Sequence, residues 1–309
     1  MPIARRALMA IRNQPWAIMP EWLPAIEAIA ERAMDAPELQ ALRDSGHTAR
    51  YGEALAAMGS RLEGSRLSTI RDGVAAIPVF GPIFPRANIM TELSGATSLD
   101  LLAHDLRVAQ ASPAVHHILM VYDTPGGHVS GVAEFAGAIA ASHKPATAFV
   151  SGLGCSAGYW LASPSKEIVA DRSAMVGSIG VVCSVGWQEE PDQNGERWVD
   201  ITSSHAPMKR LDYATEEGRA ALRAEIDQIE DVFIDDVARG RKVSRATVIS
   251  EFGKGGTMVG KAAKAAGMVD RLDSLDATLT RLAGRQRSGA SRARAEADQD
   301  LRRRRASLL

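Results

Sequence analysis

Two rhythms of apolar residues alternate through the middle of the chain. Apolar runs at 74–80, 118–121 and 146–150 (the last broken only by Thr147) mark strands at 74–80, 115–122 and 145–151, and between them the apolar residues of 101–111 and 129–142 recur at helical spacing. Short unbroken runs are what strands buried on both faces require, and their alternation with helices implies a parallel α/β sheet. Gly81-Pro82 punctuates the first run, and Thr97 with Asp100 forms a capping-box pattern before the 101–111 helix. Further short strands are expected at 167–170, 179–185 and 198–202. A long helix follows over about 215–239, with Leu222, Ile226, Ile229 and Phe233 on one face.

The flanks differ from this core. Residues 14–72 read as helical and peripheral: Ile26, Ile29, Ala30 and Met34 keep helical spacing, whereas Pro15 to Pro20 is too proline-rich for a helix interior. Trp16 and Trp22 have two open readings, docking on a partner or neighbouring subunit and packing on the central domain. Residues 40–72 are polar enough for a flexible link. The tail, 284–309, holds eight arginines against three acids, including the run Arg302 to Arg305. It is expected to be disordered, with contact to acidic scaffold or nucleic acid as the alternative. Three regions follow: a peripheral helical part at 1–72, a catalytic domain at 73–283 and the Arg-rich tail at 284–309.

Bulk properties narrow the class. A chain of 309 residues is long enough for a substantial core, and a net charge of -1 provides no global field towards nucleic acid or membrane. Aromatic residues make up only 5%, which disfavours a base-stacking surface. Two cysteines, Cys155 and Cys183, are too few for a disulfide framework and suit a reducing compartment. No run of about 18 apolar residues marks a membrane span, and arginines interrupt the basic start, so no secretory signal is read. A cytoplasmic protein is expected.

The chemistry concentrates at two strand ends. Tyr122-Asp123-Thr124-Pro125-Gly126-Gly127 closes one apolar run in a glycine turn, where bare backbone N–H groups can approach an oxyanion. Gly154-Cys155-Ser156-Ala157-Gly158 closes another, at a small-residue bend that can present Ser156 as a nucleophile. Either motif alone is also an ordinary turn or a close helix–sheet contact. Their pairing at strand-to-helix junctions, which line the crevice of open α/β sheets, points to acyl transfer. Cys155 is a competing nucleophile that reads better as a small buried residue. None of His47, His104, His116, His117, His128, His143 and His205 has a spacing that names a base, although His128 directly follows the glycine turn.

Asp123-Thr124-Pro125-Gly126-Gly127, Cys155-Ser156-Ala157-Gly158 and Gly177-Ser178-Ile179-Gly180-Val181 together resemble the signal peptide peptidase A family of serine peptidases, in particular its phage capsid assembly proteases. The resemblance runs over about 73–282, including 256–262 and 267–270. It implies a Clp protease/crotonase-like fold of repeated β-β-α units and a Ser–Lys dyad. Ser156 is then the nucleophile, and the backbone N–H groups of Gly127 and Ala157 hold the oxyanion. Ser178 hydrogen-bonds the lysine. Lys209 takes the place of the general base, in a turn where Ala206-Pro207-Met208 separate it from His205, whereas the family has histidine and lysine adjacent. Such a lysine acts neutral, its pKa lowered by desolvation.

The resemblance implies a serine endopeptidase that needs no cofactor or metal, and no nucleotide- or metal-binding motif occurs. It implies polypeptide substrates (scaffold, portal or capsid proteins) and a homo-oligomer acting in the host cytoplasm or procapsid. Alternatives are a soluble bacterial enzyme that degrades signal peptides, a crotonase-like acyl-CoA enzyme, and an inactive assembly module.

Overall fold

Each continuous apolar run of the middle region becomes a strand whose two faces are both covered. The computed structural model describes residues 14–32, 55–87, 96–185 and 202–284. Its strands, numbered along the chain, are β1 (Trp16–Ile18), β2 (Ser60–Arg61), β3 (Thr69–Arg71), β4 (Val74–Phe80), β5 (Ile83–Phe84), β6 (Thr97–Ser98), β7 (His117–Thr124), β8 (Gly126–His128), β9 (Ala146–Cys155), β10 (Glu167–Ala170), β11 (Met175–Gly177), β12 (Thr257–Val259) and β13 (Arg271–Leu272). The helices are α1 (Leu23–Arg32), α2 (Leu99–Ala111), α3 (Val132–Ala140), α4 (Ala157–Ala162), α5 (Glu216–Arg241), α6 (Arg245–Glu251) and α7 (Gly260–Ala265).

The main sheet runs β12-β11-β9-β7-β4-β3-β2, with β10 and β13 added beside β9. β4, β7 and β9 pair in parallel, as the strand–helix alternation requires, and β9 is long enough to pair β10 with its first half and β11 with its second. α2 and α3 are the crossover helices. A core cluster including Ile77, Ile118, Met120, Leu106, Phe135 and Ile139 fills the space between sheet and helices. A smaller cluster containing Val74, Leu119, Val121 and Phe149 covers the opposite face. The second, small sheet runs β1-β8-β5-β6.

Four details differ from the sequence expectation. Residues 16–18 are a buried strand of the small sheet rather than part of a peripheral helical region, because their backbone finds partners on both edges. β2 and β3 extend the main sheet through β4, so the sheet begins before residue 73. The capping box is not made: the Thr97 hydroxyl donates to the Phe80 carbonyl at 2.7 Å, and Asp100 accepts from the Ala87 and Leu101 N–H groups. Residues 179–185 form only an isolated bridge at Val182, since Gly177 (φ +119°) and Ser178 (φ 51°) turn the chain off the ladder. Residues 198–201 of the strand expected at 198–202 and residues 285–309 of the Arg-rich tail lie outside the described residues.

The long helix is anchored at its C-terminal half, where Phe233, Ile234, Val237 and Ala238 are buried. Leu222, Ile226 and Ile229, expected on the same buried face, are only partly covered. Phe233 stacks on Trp160 at 4.4 Å and 7°, a pairing worth about 1 kcal/mol beyond its area, and the Trp160 Nε1 donates to Asp236 at 2.8 Å. These contacts fix α4, which carries the candidate nucleophile at its start.

Candidate active site

β9 ends at Cys155, and the next residue cannot continue either the strand or the helix. Ser156 sits at φ 53°, ψ −120°, an uncommon conformation for a residue with a side chain, immediately before α4. Its N–H donates to the Gly177 carbonyl at 2.7 Å, and its own carbonyl accepts from Trp160 N–H at 2.9 Å. The bend is possible because its neighbours are small. A Cβ on Gly154 would lie 2.8 Å from a Val150 methyl, and one on Gly158 would run into the Thr124 methyl. The bend therefore has the strained strand-to-helix form that projects a nucleophile.

The glycine turn lies against the same point. Gly126 takes φ +107°, its N–H donates to the Thr124 hydroxyl at 3.1 Å, and a Cβ there would lie 2.9 Å from the Ser156 Cβ. Gly127 has no room for a side chain either, because Ile83 of β5 packs directly on it. Asp123 steadies the approach by accepting from Leu153 N–H at 2.9 Å, where the register of β7 and β9 shifts. Ser156, Gly126, Gly127 and Ala157 are thus brought together, and Gly177 and Ser178 close the other side. Ser178 is buried, with its N–H donating to the Gly256 carbonyl at 2.7 Å.

Lys209 is not part of that cluster. It ends a 3-10 turn, Pro207–Lys209, and its side chain is exposed. The Ser156 Oγ is fully buried and, among the described residues, has no hydrogen-bond partner. The preceding residues 186–201 lie outside the described part.

Two competing groups are disposed of by their surroundings. Burial pushes the Cys155 thiol up to about 12, so it stays protonated near neutrality. Burial also lowers the His128 pKa, and both ring nitrogens are used: Nδ1 accepts from Ser130 N–H at 3.1 Å and Nε2 lies 3.1 Å from the Gln14 side-chain oxygen. Among the described residues, no group of three or more His, Cys, Asp or Glu could hold a metal. No helix there is long and apolar enough to cross a membrane.

The site also contains parts that the motifs did not name. The Gly177 carbonyl anchors Ser156, and β1 lies along the glycine turn with Ala17 opposite Gly127. The available signal for β1 was a short apolar run between Pro15 and Pro20, a pattern that fits an edge strand as well as a helix start.

Several known proteins are related to this chain in sequence. The chain is 28% identical over 264 residues to "Capsid assembly protease C" of Escherichia phage lambda, covering 78% of this chain and 59% of that protein. It is 29% identical over 301 residues to "Head-tail preconnector protein GP5" of Enterobacteria phage P21, covering 91% and 58%. It is 31% identical over 209 residues to "Protease 4" of Salmonella typhi, covering 65% and 34%. The chain thus spans under two thirds of the length of each of these relatives. Residues 138–288, which include the Ser156 bend, match peptidase family S49.

Proposed function

We propose that the chain is a serine endopeptidase acting in phage capsid assembly, with Ser156 as nucleophile and Lys209 as general base. The observation that carries this reading is the strained bend at Ser156, which lies against the Gly126-Gly127 turn. The names of the two phage relatives support the setting.

In the proposed reaction the Ser156 hydroxyl adds to a peptide carbonyl while neutral Lys209 takes its proton. The oxyanion is held by the N–H groups of Gly127 and Ala157. Lys209 then protonates the leaving amine, and water hydrolyses the acyl-enzyme in the reverse sense. The base is useful only if the 202–214 segment, of this chain or of a neighbouring copy, brings the amine to Ser156. Ser178 is proposed to hold the amine there. A homo-oligomer is part of this reading, as are scaffold, portal or capsid polypeptides as substrates. The similarity to "Protease 4" supports a second setting, general peptide degradation by a cellular enzyme.

Fluorophosphonate labelling followed by peptide mapping tests the chemistry. The adduct is expected on Ser156, and it should disappear in Lys209→Ala. Casein hydrolysis that continues undiminished in Ser156→Ala would refute the assignment.

A further inference from the structure

β1 has no place in the reaction just described, yet it lies in the middle of the site. Its register is antiparallel to β8, with Trp16 opposite His128, Ala17 opposite Gly127 and Ile18 opposite Gly126. On its other edge, Trp16 N–H donates to the Val182 carbonyl and Val182 N–H donates to the Trp16 carbonyl, both at 2.8 Å. One extended segment is therefore clamped between the two pieces of backbone that flank Ser156, the glycine turn and the stretch after Ser178.

The direction of its polar groups is set by strand alternation. In an antiparallel ladder the N–H and C=O of one residue point to the same side, and those of the next residue to the other. Those of Trp16 face Val182, so those of Ala17 face Gly127. The neighbouring pairs agree, since Met19 N–H donates to Pro125 at 2.9 Å and Val129 N–H to Pro15 at 3.5 Å. A Cβ placed on Gly126 would meet both the Ala17 carbonyl oxygen and the Ser156 Cβ. The Ala17 carbonyl is thus directed at the N–H group proposed to hold the oxyanion, beside the nucleophile. Trp16 and Ile18 are buried with Leu23, Ile26 and Phe84 in a separate apolar cluster, and Trp16 meets Phe84 edge-on at 5.7 Å.

We propose that residues 15–19 occupy the peptide-binding channel of this enzyme as a substrate-like strand, which keeps Ser156 covered until they are displaced. The ligand class of the channel follows from its occupant: an extended peptide that adds a strand between β8 and Val182, with a small residue at the place of Ala17 and large apolar residues on either side. The bond held in the reacting position is Ala17–Ile18. This inference rests on Ser156 being the nucleophile, and it accounts for the complete burial of that residue.

The test displaces the strand in the full chain. Trp16→Asp combined with Ile18→Asp places two carboxylates in an apolar cluster. Ala17→Pro, on the strand itself and outside that cluster, removes the N–H that faces Gly127 without altering either wall of the channel, and serves if the first variant does not fold. In a Ser156→Ala background, a fluorescent peptide with the sequence of residues 13–20 should bind either displaced variant about tenfold or more tightly than the parent, since a channel that is mostly filled lowers apparent affinity in proportion. With Ser156 present, fluorophosphonate labelling should accelerate by a similar factor. Equal peptide binding by parent and displaced variants overturns the proposal, as does Ser156 labelling that occurs in the parent and is no faster in the displaced variants. Peptide binding that rises while Ser156 is never labelled in any variant keeps the strand in the channel and refutes the nucleophile assignment instead.

Discussion

The Ser156 N–H donates to the Gly177 carbonyl at 2.7 Å, which ties the bend after β9 to the end of β11 and holds the serine at φ 53°. That tie maintains a conformation that costs on the order of 1–3 kcal/mol for a residue with a side chain. Ser156→Gly is expected to raise stability by about 1 kcal/mol, because glycine relieves the strain and removes a buried hydroxyl without a partner among the described residues. Ser156→Ala keeps the strain and should unfold near the parent. Both should lose peptide hydrolysis by on the order of 10⁴-fold or more. Urea denaturation beside a casein assay separates the two effects.

Lys209→Ala should lower hydrolysis by roughly 10²–10⁴-fold, the usual contribution of a general base. Its side chain is exposed, so stability should stay within about 0.5 kcal/mol of the parent. Lys209→Arg should not rescue the activity, because a guanidinium does not give up its proton. Full activity in Lys209→Ala would remove this residue from the mechanism.

Gly158→Ala should cost about 1–3 kcal/mol, since the added methyl enters the space of the Thr124 methyl beneath the bend. The same push displaces the start of α4, so hydrolysis should fall more steeply than stability. Thermal unfolding and initial rates on one preparation would show this. Gly137→Ala, with nothing near the added methyl, is the control and should be neutral or slightly stabilising.

Asp105 organises the loop ahead of β3. Its carboxylate accepts from the N–H groups of Arg66, Leu67 and Ser68 at 2.6, 3.0 and 3.0 Å and from the Ser68 hydroxyl at 2.6 Å. Asp105→Ala orphans these donors and should cost about 3 kcal/mol or more, measured by chemical denaturation. Asp105→Asn, which keeps one carbonyl acceptor, should cost less.

Acidification should weaken the β1 side of the site. Burial holds the His128 pKa below 6.5, so the folded state favours the neutral ring that accepts from Ser130 N–H. This contribution is complete above pH 6.5 and is lost as pH falls through the folded value, because the unfolded chain takes up the proton first. His128→Gln should flatten that part of the stability curve in melts recorded from pH 7 downwards. An unchanged slope would exclude the ring as its source.

Sequence by itself determined the parallel core and the location of the bend. Apolar runs at 74–80, 118–121 and 146–150 had to lie in doubly covered strands, and the small residues around Ser156 and after Pro125 left the chain free to turn there. These are local properties: a strand buried on both faces shows as an unbroken apolar run, and a tight turn shows as glycine. What only the tertiary structure decided was pairing across long separations. Trp16–Ile18 is a three-residue run between prolines, with no period to mark it as strand, and it becomes one because Gly126–His128 and Val182 offer it backbone partners. The Thr97 hydroxyl and Asp100 left their capping pattern for partners in neighbouring segments, Phe80 and Ala87, for the same reason. Local sequence specifies which conformation a segment can hold, whereas hydrogen bonds between distant segments decide which neighbour satisfies it.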